Sequence, residues 1–233
     1  MLMAHCEIKG IGSLVLGRPM QSPRGTDEDA AQHDARCWRE RAHKDAEGYA
    51  AVSAISIQRS LVDAAKRLNH KVPGRRGENY KTAFDCGVDV VADNNVVRVL
   101  PATKDADVQG QSIFVPSDGK RGGSNRVWRK FPIFSSWSLK FDARVLDNTI
   151  SEKVFENHLK AAGLFIGIGS MRKGKGGPNG QFSVVSLSFT RTKDEVEPAV
   201  EEPQEVALPV PQQADETSAP KRGKKEKAVA GRV

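Results

Sequence analysis

The sequence predicts an α+β fold in which an antiparallel sheet packs against two helices. One observation is the alternation of apolar and polar side chains over residues 137–145, which is typical of a strand with one buried face. A second is the three- and four-residue spacing of apolar side chains over residues 56–68 and 151–162, which is typical of amphipathic helices. The third is a set of short β-prone runs bounded by turn residues.

The N-terminal half begins with a predicted strand over residues 5–16. Gly10 and Gly12 within it indicate a bulge or a close backbone approach. The polar, turn-rich residues 17–36 then predict a long loop. The first helix follows over residues 56–68.

The remaining strands are shorter. Residues 84–100 predict a β-hairpin that turns at Asp93, Asn94 and Asn95, because asparagine tolerates positive φ. Ser151 is the expected N-cap of the second helix, which Gly163 is expected to end. Further strands are predicted at residues 113–115, 164–168 and 182–189, and the last two are expected to pair with each other.

Composition limits the class of protein. The chain has 233 residues, of which 38% are hydrophobic and 28% charged, and no apolar run approaches the roughly 20 residues that cross a bilayer. The N-terminus has no basic region followed by an apolar core and a cleavage site, so we expect a cytoplasmic protein. The cysteines, Cys6, Cys37 and Cys86, fit neither a disulfide framework nor a zinc site and are expected to be reduced thiols.

Charge is distributed unevenly along the chain. Residues 1–193 hold 30 basic and 20 acidic residues, residues 194–219 hold none and eight, and residues 220–233 hold six and one. A body with this excess of cations attracts phosphates. The sequence predicts one domain over residues 1–192, with an insertion at about 70–135, and a disordered tail over residues 193–233, which is rich in Glu, Pro, Gln, Ala and Lys and has no aromatic residue.

A glycine-rich, basic loop between the two C-terminal β-prone runs is the first candidate site. Glycines let the backbone approach a ligand closely, and cations attract a polyanion. A flexible, solvated loop is the alternative. The residues concerned are Gly167, Gly169, Gly174, Gly176, Gly177 and Gly180, with Arg172, Lys173 and Lys175.

A second candidate lies in residues 119–131, GKRGGSNRVWRKF. Basic residues around an aromatic ring suit a single-stranded nucleic acid, because arginine pairs with phosphate and the indole stacks on bases. The alternative is that Trp128 belongs to the core. The cations are Lys120, Arg121, Arg126, Arg129 and Lys130.

The predicted order forms two strand–helix–strand halves, which is the ferredoxin-like or RRM-type plan. Three phrases carry a family resemblance: LVLGRP, AVSAISIQRSLVDAAKRL, and AAGLFIGIGSMRKGKGGPNGQFSV. They resemble the RAMP superfamily, in particular the RNA-binding backbone subunits of CRISPR effector complexes and their small phage or mobile-element relatives. The resemblance covers segments near residues 5–20, 50–70 and 137–190, and the insertion matches nothing in it.

The resemblance implies a palm-like sheet with projections from the insertion, and subunits that assemble along a guide RNA. It implies that the glycine-rich loop, with Gly167, Gly169, Arg172, Gly176, Gly177 and Gly180, contacts the RNA. It also implies that the start of the first helix faces the RNA backbone, through Ser53, Ile55, Ser56 and Arg59.

Some RAMP subunits cut RNA with an aspartate that follows the first strand. The corresponding loop here holds Asp27, Glu28, Asp29 and Asp34, which could hold a magnesium ion, but adjacent acids in a polar loop are usually only solvated. We expect no enzymatic activity, metal or cofactor.

The resulting hypothesis is a non-catalytic, single-stranded RNA-binding subunit of a CRISPR-like ribonucleoprotein. Its partners would be RNA, other copies of itself and further subunits. Two alternatives are a phage-borne, RAMP-like structural protein that acts on protein partners, and a single-stranded DNA-binding protein.

Overall fold

A four-stranded antiparallel sheet lies at the centre of the protein, with the spatial order β10 (Phe182–Arg191), β1 (Leu2–Gly10), β9 (Ser138–Val145) and β5 (Val88–Val91). The structure is a computed structural model that describes residues 1–117 and 125–191. These residues form an α+β fold with antiparallel sheets and four α-helices, as the sequence predicts. Its elements are β1 (Leu2–Gly10), β2 (Leu14–Val15), α1 (Ala30–Cys37), β3 (His43–Lys44), β4 (Ala50–Ser53), α2 (Ala54–Leu68), α3 (Tyr80–Gly87), β5 (Val88–Val91), β6 (Val96–Arg98), β7 (Gln109–Pro116), β8 (Arg126–Phe134), β9 (Ser138–Val145), α4 (Glu152–Ala161) and β10 (Phe182–Arg191).

One face of the central sheet is buried against α2 and α4. Strict alternation along β1 and β9 places every second side chain in this core and the others on the opposite, open face. Helix α4 begins after Ser151, whose hydroxyl accepts the Val154 N–H at 3.3 Å, as the sequence predicts. Core side chains from the sheet and the helices include Ala4, Ile8, Leu139, Phe141, Ile57, Leu61, Phe155 and Leu159.

Two smaller sheets flank the central one. Strands β2, β8 and β7 form a three-stranded sheet, and β3, β4 and β6 form another. The predicted strand over residues 113–115 is confirmed as part of the longer β7, which pairs with β8 in a hairpin.

The predicted close approach at Gly10 is confirmed. A Cβ on Gly10 would lie 2.2 Å from the indole Nε1 of Trp137, so this position admits only glycine. The same indole N–H donates to the Gly12 carbonyl oxygen at 2.7 Å. The predicted first strand therefore ends at Gly10, and β2 forms a separate strand in another sheet.

The predicted strand at residues 164–168 is wrong. Helix α4 instead continues into a π-helical turn, Ala162–Ile166, and Gly167 ends it with a φ of +73°. A short apolar run has the same pattern in a buried helix as in a strand, so periodicity alone does not separate them. The predicted strand over residues 182–189 is confirmed within β10, but its partner is β1.

The predicted hairpin over residues 84–100 is also wrong. Asn94 and Asn95 do adopt positive φ, at +52° and +58°. However, β5 pairs with β9 in the central sheet, whereas β6 pairs with β4 in another sheet. Residues 84–87 belong to α3.

The predicted loop over residues 17–36 is wrong for residues 30–36, which form all of α1 except its last residue. Asp29 is the N-cap of this helix and forms a capping box with Gln32, so the polar sequence of the loop also supplies a helix start signal. Lys120 and Arg121, and the predicted tail of residues 193–233, lie outside the described residues. No helix among the described residues is long and apolar enough to cross a membrane.

Candidate nucleic-acid interface

The glycine-rich loop packs closely against the strands that precede it. The Gly180 N–H donates to the Ser13 carbonyl at 2.8 Å, and the Ser170 N–H donates to the Val15 carbonyl at 2.7 Å. Within the loop, the Ile168 N–H donates to the Gly180 carbonyl at 2.9 Å. These bonds give the loop a defined conformation, unlike the solvated, flexible loop considered from the sequence.

Several glycines of the loop are required by packing of the chain against itself. A Cβ on Gly180 would lie 1.9 Å from the Ile168 carbonyl oxygen, and one on Gly177 would lie 1.8 Å from the Met171 carbonyl oxygen. Positive φ is found at Gly167, Gly169, Gly176 and Gly180. Four glycines of the loop donate their backbone N–H groups to backbone carbonyls within the protein, namely Gly167, Gly176, Gly177 and Gly180. Contact with RNA is therefore not needed to satisfy these N–H groups.

Arg172 connects the loop to α2. Its guanidinium donates to the Asp63 carboxylate at 2.8 Å, and only 12% of the Arg172 side chain is exposed. The Ser60 hydroxyl adds a second link, since it donates to the Gly167 carbonyl at 3.0 Å. Arg172 therefore positions the loop on the helix, and its predicted contact with RNA stays a prediction.

Five other cations surround this junction and are exposed. Lys173 and Lys175 lie in a 3₁₀ turn next to Arg172. Arg59 lies one helical turn before Asp63 on α2, and Lys66 lies one turn after it, 3.7 Å from its carboxylate. Arg67 stacks over the Phe165 ring at 4.7 Å. These side chains, Arg59, Lys66, Arg67, Lys173 and Lys175, are termed the basic surface.

Only part of this basic surface could be predicted from the sequence. Lys66, Arg67 and Phe165 were missed as binding candidates. The signal was present, because the spacing of Arg59, Asp63 and Lys66 places them on one face of α2.

The residues that the family resemblance places at the RNA backbone lie at the start of α2, at the opposite end of the helix from Arg67. Ser53 is the extended N-cap residue, Ser56 is half-buried, and 47% of Ile55 is exposed. Fourteen residues separate Ser53 from Arg67, which is about 20 Å along the helix axis. Arg59 lies between the start of α2 and the part of the helix that contacts the glycine-rich loop, at Ser60 and Asp63.

The hairpin of β7 and β8 carries the second candidate site. Trp128 is 68% exposed, which contradicts the alternative that it belongs to the core. Its ring lies 5.2 Å from that of Phe114, which is 46% exposed. Arg126 is exposed, and Arg129 donates to the Ser117 carbonyl at 2.7 Å. The pair forms an exposed aromatic platform next to a cation.

The carboxylates of the loop after the first strand have structural roles. Glu28 accepts two hydrogen bonds from Arg36, which together with the Gly25 N–H lower the pKa of Glu28 to about 2. Asp29 caps α1. The buried Asp34 pairs with Arg41 and accepts the Lys130 N–H at 2.7 Å. No group of potential metal ligands occurs among the described residues.

The open face of the central sheet carries both cations and carboxylates, whereas the basic surface is mainly cationic. It borders a cleft of about 630 Å³, whose walls include two cations, Arg98 and Lys140, but five carboxylates. Ion pairs neutralise part of this charge: Lys140 lies 3.4 Å from Glu7, and Arg98 lies 2.9 Å from Glu47. On the neighbouring strands, Arg144 pairs with Asp89. A His5 ring nitrogen lies at hydrogen-bond distance, 2.8 Å, from the Asp142 carboxylate.

No protein-family model matches the sequence, and no curated protein matches it. Among solved structures, a chain of a CRISPR RNA-guided surveillance complex is 15% identical, with 84% of this chain and 72% of that chain covered and a TM-score of 0.37. Cmr6 from Pyrococcus furiosus is 15% identical, with 79% and 99% covered and a TM-score of 0.39. A chain of a Type IV-B CRISPR complex is 16% identical, with 89% and 99% covered and a TM-score of 0.38. Likenesses at these scores decide neither family nor function.

Proposed function

We propose that the protein binds single-stranded RNA through the basic surface and serves as a non-catalytic subunit of a CRISPR-like ribonucleoprotein. The observation that carries this proposal is the group of exposed cations around the junction of α2 with the glycine-rich loop. Four of them, Arg59, Arg67, Lys173 and Lys175, have no carboxylate partner within the described parts of the chain. Such cations attract phosphates because no carboxylate among the described residues neutralises them.

The rigidity of the junction adds to this argument. Arg172 and Asp63 fix the loop on α2, and the loop backbone is hydrogen-bonded to residues 13 and 15. Lys173 and Lys175 are therefore presented on a fixed turn. A preorganised site loses less conformational entropy when a ligand binds, which favours affinity.

The topology is consistent with the family resemblance of the sequence. Taken as first to fourth strands, β1, β5, β9 and β10 lie in the order 4–1–3–2, with α2 after the first and α4 after the third. We interpret this as a ferredoxin-like palm, in which β6, β7 and β8 belong to the insertion. The guide-RNA role and the assembly along RNA follow from the resemblance and form part of the proposal.

The exposed aromatic pair is proposed as a second contact. Trp128 and Phe114 offer ring faces to unpaired bases, and Arg126 offers a cation to the adjoining phosphate. Replacing Trp128 by alanine is expected to lower RNA affinity by about 1–3 kcal/mol. The matched control is Leu146→Ala, which removes another exposed apolar side chain outside the hairpin and should leave affinity unchanged.

A fluorescence-anisotropy titration of the full chain with a short single-stranded RNA tests the proposal. Affinity should fall steeply as salt is added, with a slope of log K against log salt of roughly −0.7 for each phosphate contacted. Absence of binding at low salt, or affinity indifferent to salt, would contradict it.

Two further measurements separate the alternatives. Competition between RNA and DNA of the same sequence distinguishes the ligands, since only RNA carries 2′-hydroxyl groups. Protein purified without nuclease should carry RNA, visible as a raised ratio of absorbance at about 260 to 280 nm. Nucleic-acid-free protein that captures neither oligonucleotide would favour a structural role.

A further inference from the structure

The outer edge of β10 is a long strand edge without a partner among the described residues. β10 pairs with β1 on one side, and no described strand pairs with its other side. Residues 182–190 contain neither a charge nor a proline. Protected edges of soluble proteins normally carry charges, prolines or very short strands. This edge has a bulge at Val185 and one charged residue, Arg191, at its end, so residues 186–190 form a regular and uncharged stretch.

The apolar side of β10 is incompletely buried. Leu187 and Phe189 pack against the core yet are only half-buried, and the Phe189 ring meets that of Phe155 on α4 at 6.0 Å. Val185 at the bulge is 57% exposed. A strand added to this edge would cover the remaining apolar surface and satisfy the outward backbone groups of β10.

We propose that the occupant of this edge is the β10 strand of a second copy, paired antiparallel about a twofold axis at Ser188. In this register, Ser188 faces its own counterpart, Ser186 faces Thr190, and Leu187 faces Phe189. Ser186, Ser188 and Thr190 lie on the open face of the sheet. There the two serines border the cleft, and the Thr190 hydroxyl is hydrogen-bonded to the His5 ring. Leu187 and Phe189 lie on the opposite face, which packs against the helices. In this register, polar residues of one copy therefore face polar residues of the other, and apolar residues face apolar residues.

The pairing about Ser188 is favoured over a register displaced by one residue. A slip by one residue would place Ser188 opposite Phe189 and exchange the faces of one strand. The absence of charge in residues 182–190 also matters, because a charged strand that pairs with itself sets like charges against each other. The interface is small, so the dimer should dissociate on dilution.

This association differs from assembly along RNA in its driving force. Backbone hydrogen bonds and apolar side chains between neutral strands depend little on salt, whereas RNA binding weakens with salt. The dimer should therefore form in nuclease-treated protein at high salt. Sedimentation or light scattering should give twice the 25.4 kDa chain mass at high concentration and the single mass on dilution.

Charge variants at the twofold axis provide the test. Ser188→Lys and Ser188→Glu should each halve the mass, because two like charges meet at the axis, and their equimolar mixture should restore the dimer. Ser183→Lys, on the same strand before the bulge, is the matched control and should stay dimeric. Wild-type protein that is monomeric at every concentration, or charge variants that all remain dimeric, would overturn the proposal while leaving RNA binding untouched.

Discussion

The basic surface and the open face of the central sheet show opposite arrangements of charge. On the open face, most ionic side chains pair across strands, as Lys140 does with Glu7 and Arg144 with Asp89. On the basic surface, Asp63 is shared by Arg172 and Lys66, and Lys173 and Lys175 have no carboxylate partner among the described residues. A net charge therefore says little until its local neutralisation is known.

Local structure explains the difference. Neighbouring strands set alternate side chains opposite one another, so opposite charges on one sheet face meet in pairs. The glycine-rich turn instead exposes Lys173 and Lys175, which have no carboxylate partner among the described residues. The same types of side chain thus form a neutral surface in one place and an anion-attracting surface in the other.

The largest expected effect is on the scaffold of the basic surface. Gly180→Ala should destabilise the protein by about 2–4 kcal/mol, because the new Cβ would meet the Ile168 carbonyl in a left-handed conformation. Urea denaturation measures this. Gly77→Ala is the control, since Gly77 also has positive φ but no atom within 4 Å of the added Cβ, and about 1 kcal/mol is expected. Equal effects at the two positions would refute the close packing of the loop.

The ion pair that holds the loop should come next. Arg172→Ala and Asp63→Ala should each cost about 1–3 kcal/mol, because each leaves a partly buried charge without its partner. A double-mutant cycle should give a coupling between them. Additive losses would mean that the pair does not fasten the loop to α2.

A buried histidine on the helix side is expected to contribute to the pH dependence of stability. Burial lowers the pKa of His158 below its usual value of 6.5, and the exposed His70 nearby adds to this. The unfolded chain therefore takes up a proton at a higher pH than the folded protein does. Stability from this group is complete above about pH 6.5 and is lost as the pH falls towards the lowered pKa.

The variant His158→Phe tests this dependence. Phenylalanine fits the aromatic surroundings of Tyr80 and Phe84 and does not titrate. Urea midpoints measured from about pH 8 to about pH 5 should fall less steeply in the variant than in the wild type. Identical pH profiles would show that the loss of stability arises elsewhere.

The smallest effect is expected on the open face. Lys140→Gln removes one partner of an exposed cross-strand pair and should change stability by less than about 1 kcal/mol. Differential scanning calorimetry of the variant and the wild type measures this change. A larger loss would mean that the pair does more than neutralise charge.

The amphipathic elements could be predicted from the sequence because each has a clear period. β9, α2, α4 and β10 were found in this way. The run 164–168 was wrongly predicted as a strand, because a short apolar segment gives no period that separates strand from helix. The close approach of Gly163 to the Phe182 carbonyl, which accompanies the helical continuation, has no local signal in the sequence. Similarly, the strands on either side of Asn94 were placed in one hairpin, although tertiary pairing sends them to different sheets.

The residues of the candidate site could be predicted from the sequence, but the contacts that they make could be predicted only in part. The glycine-rich loop and its lysines were found from the sequence. The pairing of Arg172 with Asp63 could not be, because the two residues are 109 positions apart and nothing local couples them. The exposure of Trp128 depends in the same way on how far the β7–β8 hairpin extends from the core.

The most direct test of the central claim compares two variants with the same loss of charge. Lys173→Gln with Lys175→Gln removes two cations of the basic surface, and Lys140→Gln with Arg144→Gln removes two from the open face. The first should lower RNA affinity on the order of tenfold and reduce the salt slope by roughly 1 to 1.5. The second should bind as the wild type does, and equal losses in both variants would contradict the claim.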